Sequence, residues 1–244
     1  MEIFINAFNT LLYQPLFNAL IFLYQFLPGK DFGVAVVVLT IVIRIILYPL
    51  MLKSIRSQKA LAELQPQIQE IQQKYKNNKE QQAKEMMAFY KKEKINPLGG
   101  CLPLLLQLPI LFALYRVFWE GLAPGAMKSL YSFVPSPGEI NPVSLGLINL
   151  AEPNLVLAVL AGILQFFQTR MLMPKSKKSP TKGDQMAQFS NMMQKQMLYF
   201  FPLFTVFILW KLPAAIGVYW AITALFSIFQ QYLIMKPQKQ EKNA

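Results

Sequence analysis

The 244-residue chain contains no histidine, and its single cysteine is Cys101. Without histidine it lacks the commonest general base and the commonest metal ligand. One cysteine rules out an intramolecular disulfide and a cysteine-rich metal site. Acidic residues are scarce too, since 12 Asp and Glu stand against 24 Lys and Arg. These absences argue against an enzyme built on a nucleophile–base pair or a metal, and no cofactor is expected.

Long uncharged runs are what the chain has in excess, with 54% of its residues hydrophobic. A hydrocarbon core of roughly 30 Å needs about 20 helical residues to cross it. The runs lack the period-two alternation of barrel strands, and a lipid-spanning backbone must be helix or closed barrel. The sequence therefore predicts an all-α polytopic membrane protein. Its five transmembrane helices are expected at Phe32–Leu52, Leu98–Trp119, Leu155–Met173, Met197–Leu212 and Ala214–Met235.

Basic residues are distributed unevenly between the two sides that these spans define. Segments 53–96, 170–196 and 236–244 hold nineteen Lys and Arg, whereas the opposite side holds only Lys30, Lys128 and Lys211. Cytoplasmic loops of membrane proteins carry the excess of Lys and Arg. The N-terminus is therefore expected outside and the C-terminus in the cytoplasm, as an odd number of spans requires.

The N-terminal segment 3–27 is apolar but carries a polar stripe. Its polar residues recur every four positions, at Asn6, Thr10, Gln14 and Asn18. Pro15 is expected to kink a helix here. We expect an amphipathic helix in the outer interface, with a sixth span as the alternative. Neither a cleaved signal peptide nor a lipid-modified cysteine is supported at this end.

The most polar block lies between the first two spans. An apolar seam steps through it by three and four residues, at Leu61, Leu64, Ile68, Ile71 and Tyr75. The sequence KNNK at 76–79 is typical of a turn, and a second amphipathic stretch follows it. Two helices joined by so short a turn predict a cytoplasmic antiparallel helical hairpin.

These patterns divide the chain into segments. The predicted order is the external amphipathic interfacial helix (1–30), the first span (31–54), the cytoplasmic hairpin (55–96), the second span (97–120), an external loop (121–152), the third span (153–173), a cytoplasmic loop (174–196), the fourth and fifth spans (197–235) and a basic cytoplasmic tail (236–244).

Arg44 stands inside the first apolar run, where an unpaired charge costs between about 2.5 and 17 kcal/mol. No acidic residue lies in the interior of any predicted span. A water-filled cavity would reduce the cost, and intramembrane charges usually face one. Thr40 lies one turn away on the same helical face. Other polar residues in the spans could line the same space: Gln107, Gln165, Gln168 and Thr223. A fixed positive charge in such a cavity would attract an anion.

Several stretches of the chain resemble one family. They are EMMAFYKKEKINPLGGCLPLLLQLPI (85–110), Arg44 followed by Tyr48-Pro49-Leu50, QTRM (168–171), FPLFTVFILWKLPAAIGVYW (201–220) and QQYLI (230–234). In this order they resemble the YidC/Oxa/Alb membrane protein insertase family of bacterial cell membranes. The resemblance covers about residues 14–235 and implies a short form without the family's large periplasmic domain.

The resemblance implies a client-binding groove that is open to cytoplasm and lipid. Arg44 matches the family's groove arginine, and Thr40 matches a polar residue of the first span. Trp220 stands where the family has an aromatic residue, and Gln168 stands near its groove glutamine. The implied partners are nascent membrane proteins, the lipid bilayer, the Sec translocon and the ribosome, reached through the hairpin and the short tail. A single copy of the chain is expected to be sufficient for insertion. A lipid-perturbing protein or an anionic-solute transporter is the alternative.

Overall fold

A computed structural model describes residues 2–96, 99, 102–121, 126–173 and 192–235, and most of them are helical. The helices are α1 (Glu2–Phe8), α2 (Gln14–Phe26), α3 (Phe32–Ile46), α4 (Tyr48–Glu63), α5 (Gln65–Lys74), α6 (Lys79–Lys92), α7 (Leu102–Glu120), α8 (Leu155–Leu172), α9 (Met192–Leu209) and α10 (Ala214–Met235). Two short strands, β1 (Val143–Ser144) and β2 (Ile148–Asn149), pair antiparallel.

Within these residues, α8, α9 and α10 are each long and apolar enough to cross a membrane, and the pair α3–α4 would make a fourth span if counted as one. The fold is thus that of an all-α membrane protein. α9 is already helical at Met192, where the described residues resume, so it includes residues 192–196 of the segment predicted as loop, because good helix formers continue the helix past its apolar part. At 1.5 Å per residue, α9 and α10 are about 27 and 33 Å long. The predicted second span, 97–120, lies partly outside the described residues.

The predicted first span is not one straight helix. α3 ends at Ile46, and α4 leaves it at an angle of 66°. Pro49 has no backbone N–H and its ring crowds the carbonyl four residues earlier, so the chain reorients there. Arg44 consequently lies in the last turn of α3, although the sequence put it near the middle of a longer span. The carbonyl-rich end of a helix favours a cation.

Part of the hydrophobic core lies where α2 packs against α3 and α7, and another part lies between α8 and α10. Phe32 meets Phe118 edge-on, with ring centroids 6.2 Å apart, and Tyr24 lies 6.5 Å from Phe32 in a similar arrangement. Such edge-to-face pairs add stability beyond the area that they bury. The core fixes the N-terminal half of α3 and so fixes the direction in which Arg44 projects.

The C-terminal half of the polar stripe, at Gln14 and Asn18, faces protein, whereas Asn6 and Thr10 are exposed. Asn18 is 3% exposed; its amide donates to the Ser129 carbonyl at 3.0 Å and accepts from the Tyr131 N–H at 2.7 Å. The expected kink at Pro15 is absorbed by a π-helical segment, Asn9–Tyr13, that leads directly into α2. Whether this segment lies in the interface or spans the bilayer stays a prediction.

Asp31 ties three segments together at the start of α3. Its carboxylate caps the helix by accepting from the Val34 N–H at 2.9 Å, and it also accepts from the Ser144 hydroxyl at 2.8 Å and from the Leu145 N–H. Partial burial raises the pKa of Asp31, but the hydrogen bonds from Leu145, Val34 and Ser144 outweigh burial and hold this pKa below its usual value. The β1–β2 hairpin, which the sequence did not predict, is thereby fixed to α3.

The polar block folds into packed helices. α4 ends at Glu63, and α5 begins at Gln65, one residue before Pro66. α6 folds back on α5 after a turn, and Asn78 caps it by accepting from the Gln81 N–H at 3.0 Å. Ile68, Gln72 and Gln82 are buried between the two helices, and Gln82 donates to the Gln72 carbonyl at 2.7 Å. The pair therefore has an interior of its own.

Candidate functional site

Arg44 lies between α3 and α10 with only 5% of its surface exposed. Its Nη2 donates to the Thr223 carbonyl at 3.3 Å and to the Ser227 hydroxyl at 3.1 Å. The Ser227 hydroxyl in turn donates to the Thr223 carbonyl at 2.9 Å. The guanidinium is thus attached to one turn of α10 by neutral acceptors.

These contacts leave much of the binding capacity of Arg44 unused. A guanidinium has five N–H donors and no acceptor. Its Nε is buried and has no hydrogen-bond partner among the described residues. The one ion pair in the described part of the chain joins Arg116 to Glu120, with N and O 2.8 Å apart. Among the described residues, Arg44 therefore has no carboxylate partner for its positive charge, and anion binding there stays a prediction.

Thr40 lies one turn before Arg44 on α3 and is fully buried. Its hydroxyl donates to the Val36 carbonyl of its own helix at 2.6 Å. Threonine commonly satisfies itself in this way inside a helix. Thr40 thus adds a small polar side chain beside Arg44 without making a hydrogen bond to it.

The glutamines predicted for the site fall into two groups. Gln107 of α7 donates to the Tyr219 hydroxyl, one turn of α10 before Thr223. Gln165 of α8 accepts from the Trp220 indole N–H at 2.9 Å, on the neighbouring side of α10. Gln168 lies about one turn beyond Gln165 and is half-buried. The structure therefore brings Arg44, Thr40, Thr223, Gln107 and Tyr219 around one face of α10, and puts Gln165 and Trp220 on the next.

The sequence did not identify the polar face of α10. Tyr219, Thr223 and Ser227 are spaced by four residues, and the buried Gln230 continues this face one turn later. This spacing puts side chains on one side of a helix and was the available signal. Three buried atoms near this face have no partner among the described residues: Thr223 Oγ1, Gln230 Nε2 and Gln231 Oε1. Buried polar atoms of this kind are usually hydrogen-bonded to ordered water.

Large apolar side chains cover the outer faces of the last three helices. The exposed ones include Val156, Leu160, Ile163 and Phe167 of α8, Leu203, Phe204 and Phe207 of α9, and Leu225, Phe229 and Leu233 of α10. Exposed apolar area on this scale is foreign to a water-soluble monomer. These faces suit contact with lipid or with another apolar helix, and they flank the polar face that holds Arg44.

Comparison with known proteins gives a consistent result. The family model of the 60Kd inner membrane protein matches residues 22–242. The membrane protein insertase YidC of Fusobacterium nucleatum is 36% identical over 206 residues, which are 84% of this chain and 87% of the relative. Those of Wolinella succinogenes and Rickettsia rickettsii are 36% and 32% identical over 239 and 231 residues. The match spans 98% and 91% of this chain, but 39% and 38% of those longer proteins.

Proposed function

Since this chain belongs to the 60Kd inner membrane protein family, and its curated relatives are membrane protein insertases, we propose that it inserts nascent proteins into the bacterial membrane through a groove lined by Arg44. It is a multi-pass membrane protein. The observation that carries the proposed mechanism is the buried guanidinium of Arg44, which is attached to α10 by neutral acceptors alone.

Arg44 acts by attracting negative charge from the client. A segment that must cross the membrane often contains carboxylates, and each is costly in hydrocarbon. A hydrated groove around Arg44 shortens the distance over which such a segment is without water. Gln230 Nε2 and Gln231 Oε1, which have no hydrogen-bond partner among the described residues, support hydration on this side of α10. Charge attraction and water together lower the barrier for the polar segment.

The apolar part of the client supplies the driving force. Moving apolar surface from water to lipid gains about 25 cal/mol per Å². The exposed apolar faces of α8 and α10 offer an edge along which a client helix can leave the groove and enter lipid. Gln107, Gln165, Gln168 and Trp220 complete the polar lining. No step in this mechanism makes or breaks a covalent bond.

The proposal includes five spans, with α7 as the second, and a cytoplasmic hairpin made of α5 and α6. The charge distribution sets the orientation, with the N-terminus outside. In a Cys101→Ser background, a cysteine at Ser136 should react with an impermeant thiol reagent in intact cells. A cysteine at Asn78, in the exposed turn before α6, should stay unlabelled until the membrane is opened. Labelling at Asn78 from outside would refute the orientation.

The further partners in the proposal are the Sec translocon and the ribosome. Residues 65–92, which form the α5–α6 pair and its turn, hold six lysines against three glutamates, and the tail 236–244, which lies outside the described residues, adds three lysines. Both could contact ribosomal RNA by charge, while a single copy of the chain forms the groove. Affinity purification of the tagged chain from crosslinked cells would test both contacts. If neither the translocon nor the ribosome is recovered, both partners are removed from the proposal.

Purified chain in proteoliposomes tests the function itself. A single-span client synthesised in the presence of these vesicles should become protected from protease at its translocated end, and empty vesicles should protect far less. The same vesicles should show no uptake of an anionic solute and no equilibration of a labelled lipid at the rate of client insertion. Solute uptake or lipid movement without client protection would favour a transporter or a lipid-perturbing protein.

A further inference from the structure

The tip of the β1–β2 hairpin exposes large apolar side chains that the rest of the fold does not use. Leu145, a central residue of the turn, is 73% exposed, and Leu147, which closes the turn, is 81% exposed. Val143, at the start of β1, is exposed as well. No charged residue occurs between Glu139 and Glu152. A hairpin tip in water would ordinarily carry polar residues.

The turn itself favours a different residue at position 145. Leu145 and Gly146 both have positive φ, at 52° and 68°, and the Leu147 N–H donates to the Ser144 carbonyl at 3.0 Å. This is the pattern of a tight hairpin turn whose central positions favour Asn, Asp or Gly. Gly146 fits, but leucine adopts this conformation only at a cost. An exposed leucine here thus has no explanation within the chain.

Hydrogen bonds fix the level of the tip relative to the helices. Ser144 and Leu145 donate to Asp31, the residue that caps α3. The segment after β2 is tied to the first turn of α10, since the Ala215 N–H donates to the Leu150 carbonyl at 3.1 Å. Asn154, just beyond, caps α8 by accepting from the Leu157 N–H at 3.0 Å. The hairpin therefore lies level with the N-terminal ends of α3, α8 and α10.

Close packing keeps the hairpin in that place. A side chain at Gly33 would overlap the Ser144 hydroxyl, so β1 rests directly on the first turn of α3. Ile148 packs against the hydrophobic core from the inner side of the hairpin. The tip is therefore a firmly held element, and its apolar residues point away from the protein at the end of the membrane-crossing helices.

We propose that this tip is inserted into the lipid leaflet at the N-terminal ends of α3, α8 and α10, at the boundary between headgroups and acyl chains. Lipid is the occupant that fits, because the tip lies at the ends of three membrane helices and has no charged side chain of its own, while the Asp31 carboxylate that it contacts is satisfied by hydrogen bonds. Leu155 and Val156, in the first turn of α8 at the same level, also expose apolar side chains. The free energy that Leu145 gains from contact with lipid then offsets the cost of its backbone conformation. The inference is independent of the insertion function.

Spin labelling in nanodiscs tests the depth of the tip. A nitroxide is attached to Leu147→Cys in a Cys101→Ser background, and Ser136→Cys in the same loop serves as the matched control. For each label, the measured quantity is the ratio of its collision frequency with oxygen to its collision frequency with a neutral nickel chelate. This ratio should be several-fold higher for the label at 147 than for the label at 136. Both substituted side chains are exposed, so the fold should tolerate either change, and equal unfolding temperatures would verify this.

Two results would overturn the inference. Collision frequencies at 147 that match the water-like values at 136 would mean that the tip is solvated. A label at 147 that neither oxygen nor the nickel chelate reaches would mean that protein covers the tip. The readout requires no client, so it stays informative even if the chain inserts nothing in vitro.

Discussion

Replacing Arg44 with alanine should lower the inserted fraction of clients with acidic translocated segments roughly tenfold, which corresponds to about 1.4 kcal/mol. Two opposite charges 4 Å apart at an effective dielectric constant of 20 attract by about 4 kcal/mol, so a fraction of one ion pair is enough. Clients that differ only in having neutral residues there should be affected least. The measurement is the protease-protected fraction of such a client series in proteoliposomes at matched amounts of insertase.

Three variants separate charge from geometry at this position. Arg44→Lys keeps the charge without the planar fork and should retain much of the activity. Arg44→Glu should lose at least as much as Arg44→Ala for acidic clients. Ser227→Ala removes one acceptor of the guanidinium but no charge, and should change insertion less than Arg44→Ala does. If Arg44→Ala lowers the insertion of acidic and neutral clients equally, Arg44 has a structural or hydrating role and does not act by attracting charge. If Arg44→Lys is as inactive as Arg44→Ala, the geometry of the guanidinium matters.

Deleting residues 61–92 should abolish most client insertion while the membrane-embedded part still folds. The two ends of the deleted segment already lie close together, because the Ser57 hydroxyl donates to the Asn96 carbonyl at 3.3 Å and the Ser54 hydroxyl donates to the Gly99 carbonyl at 2.7 Å. Residues 58–60 and 93–95 remain to join them. Insertion is expected to fall because α5 and α6 receive the client before it reaches Arg44. Membrane accumulation of the variant and its inserted client fraction are measured together.

A point substitution provides a matched pair for the same test. Ile68→Asp puts a carboxylate between α5 and α6 and should disrupt their packing, since a buried unpaired charge is strongly unfavourable. Gln67→Asp makes the same addition of charge one residue earlier, on an exposed position, and should leave insertion near the wild-type level. Full insertion by the deletion variant, or equal activity of the two aspartate variants, would show that the helix pair is dispensable.

Features carried by one local stretch of sequence were predicted best. α8 and α10 begin at the predicted first residues of their apolar runs. Arg44 was singled out because its charge stands alone in such a run, and its role stays a prediction. The bend at Leu47 was missed, although Pro49 was visible, because an apolar run hides a change of direction. The prediction from the length of the apolar run therefore placed Arg44 too far from the end of its helix.

Features that depend on distant contacts could not be predicted. Ser227 joins the site by a contact across 183 residues, and no local pattern indicates which helix Arg44 meets. The β1–β2 hairpin was missed because Leu145 occupies a turn position where leucine is unusual. The polar stripe around Asn18 was recognised, but its partners are backbone groups of a loop more than 100 residues later.

Arg44 can be attached to α10 only after α10 has been synthesised. Bacterial and other ribosomes add about 5 to 20 residues per second, so the 183 residues between Arg44 and Ser227 take about 10 to 40 s to synthesise. During that interval α3 exists without Thr223 and Ser227, and its arginine must rely on water, headgroups or another protein. α10, made long after α3, thus supplies the acceptors that the α3 arginine lacks until then. During those seconds, the newly synthesised insertase is itself a membrane protein whose Arg44 lacks its α10 hydrogen-bond acceptors and needs help to be inserted.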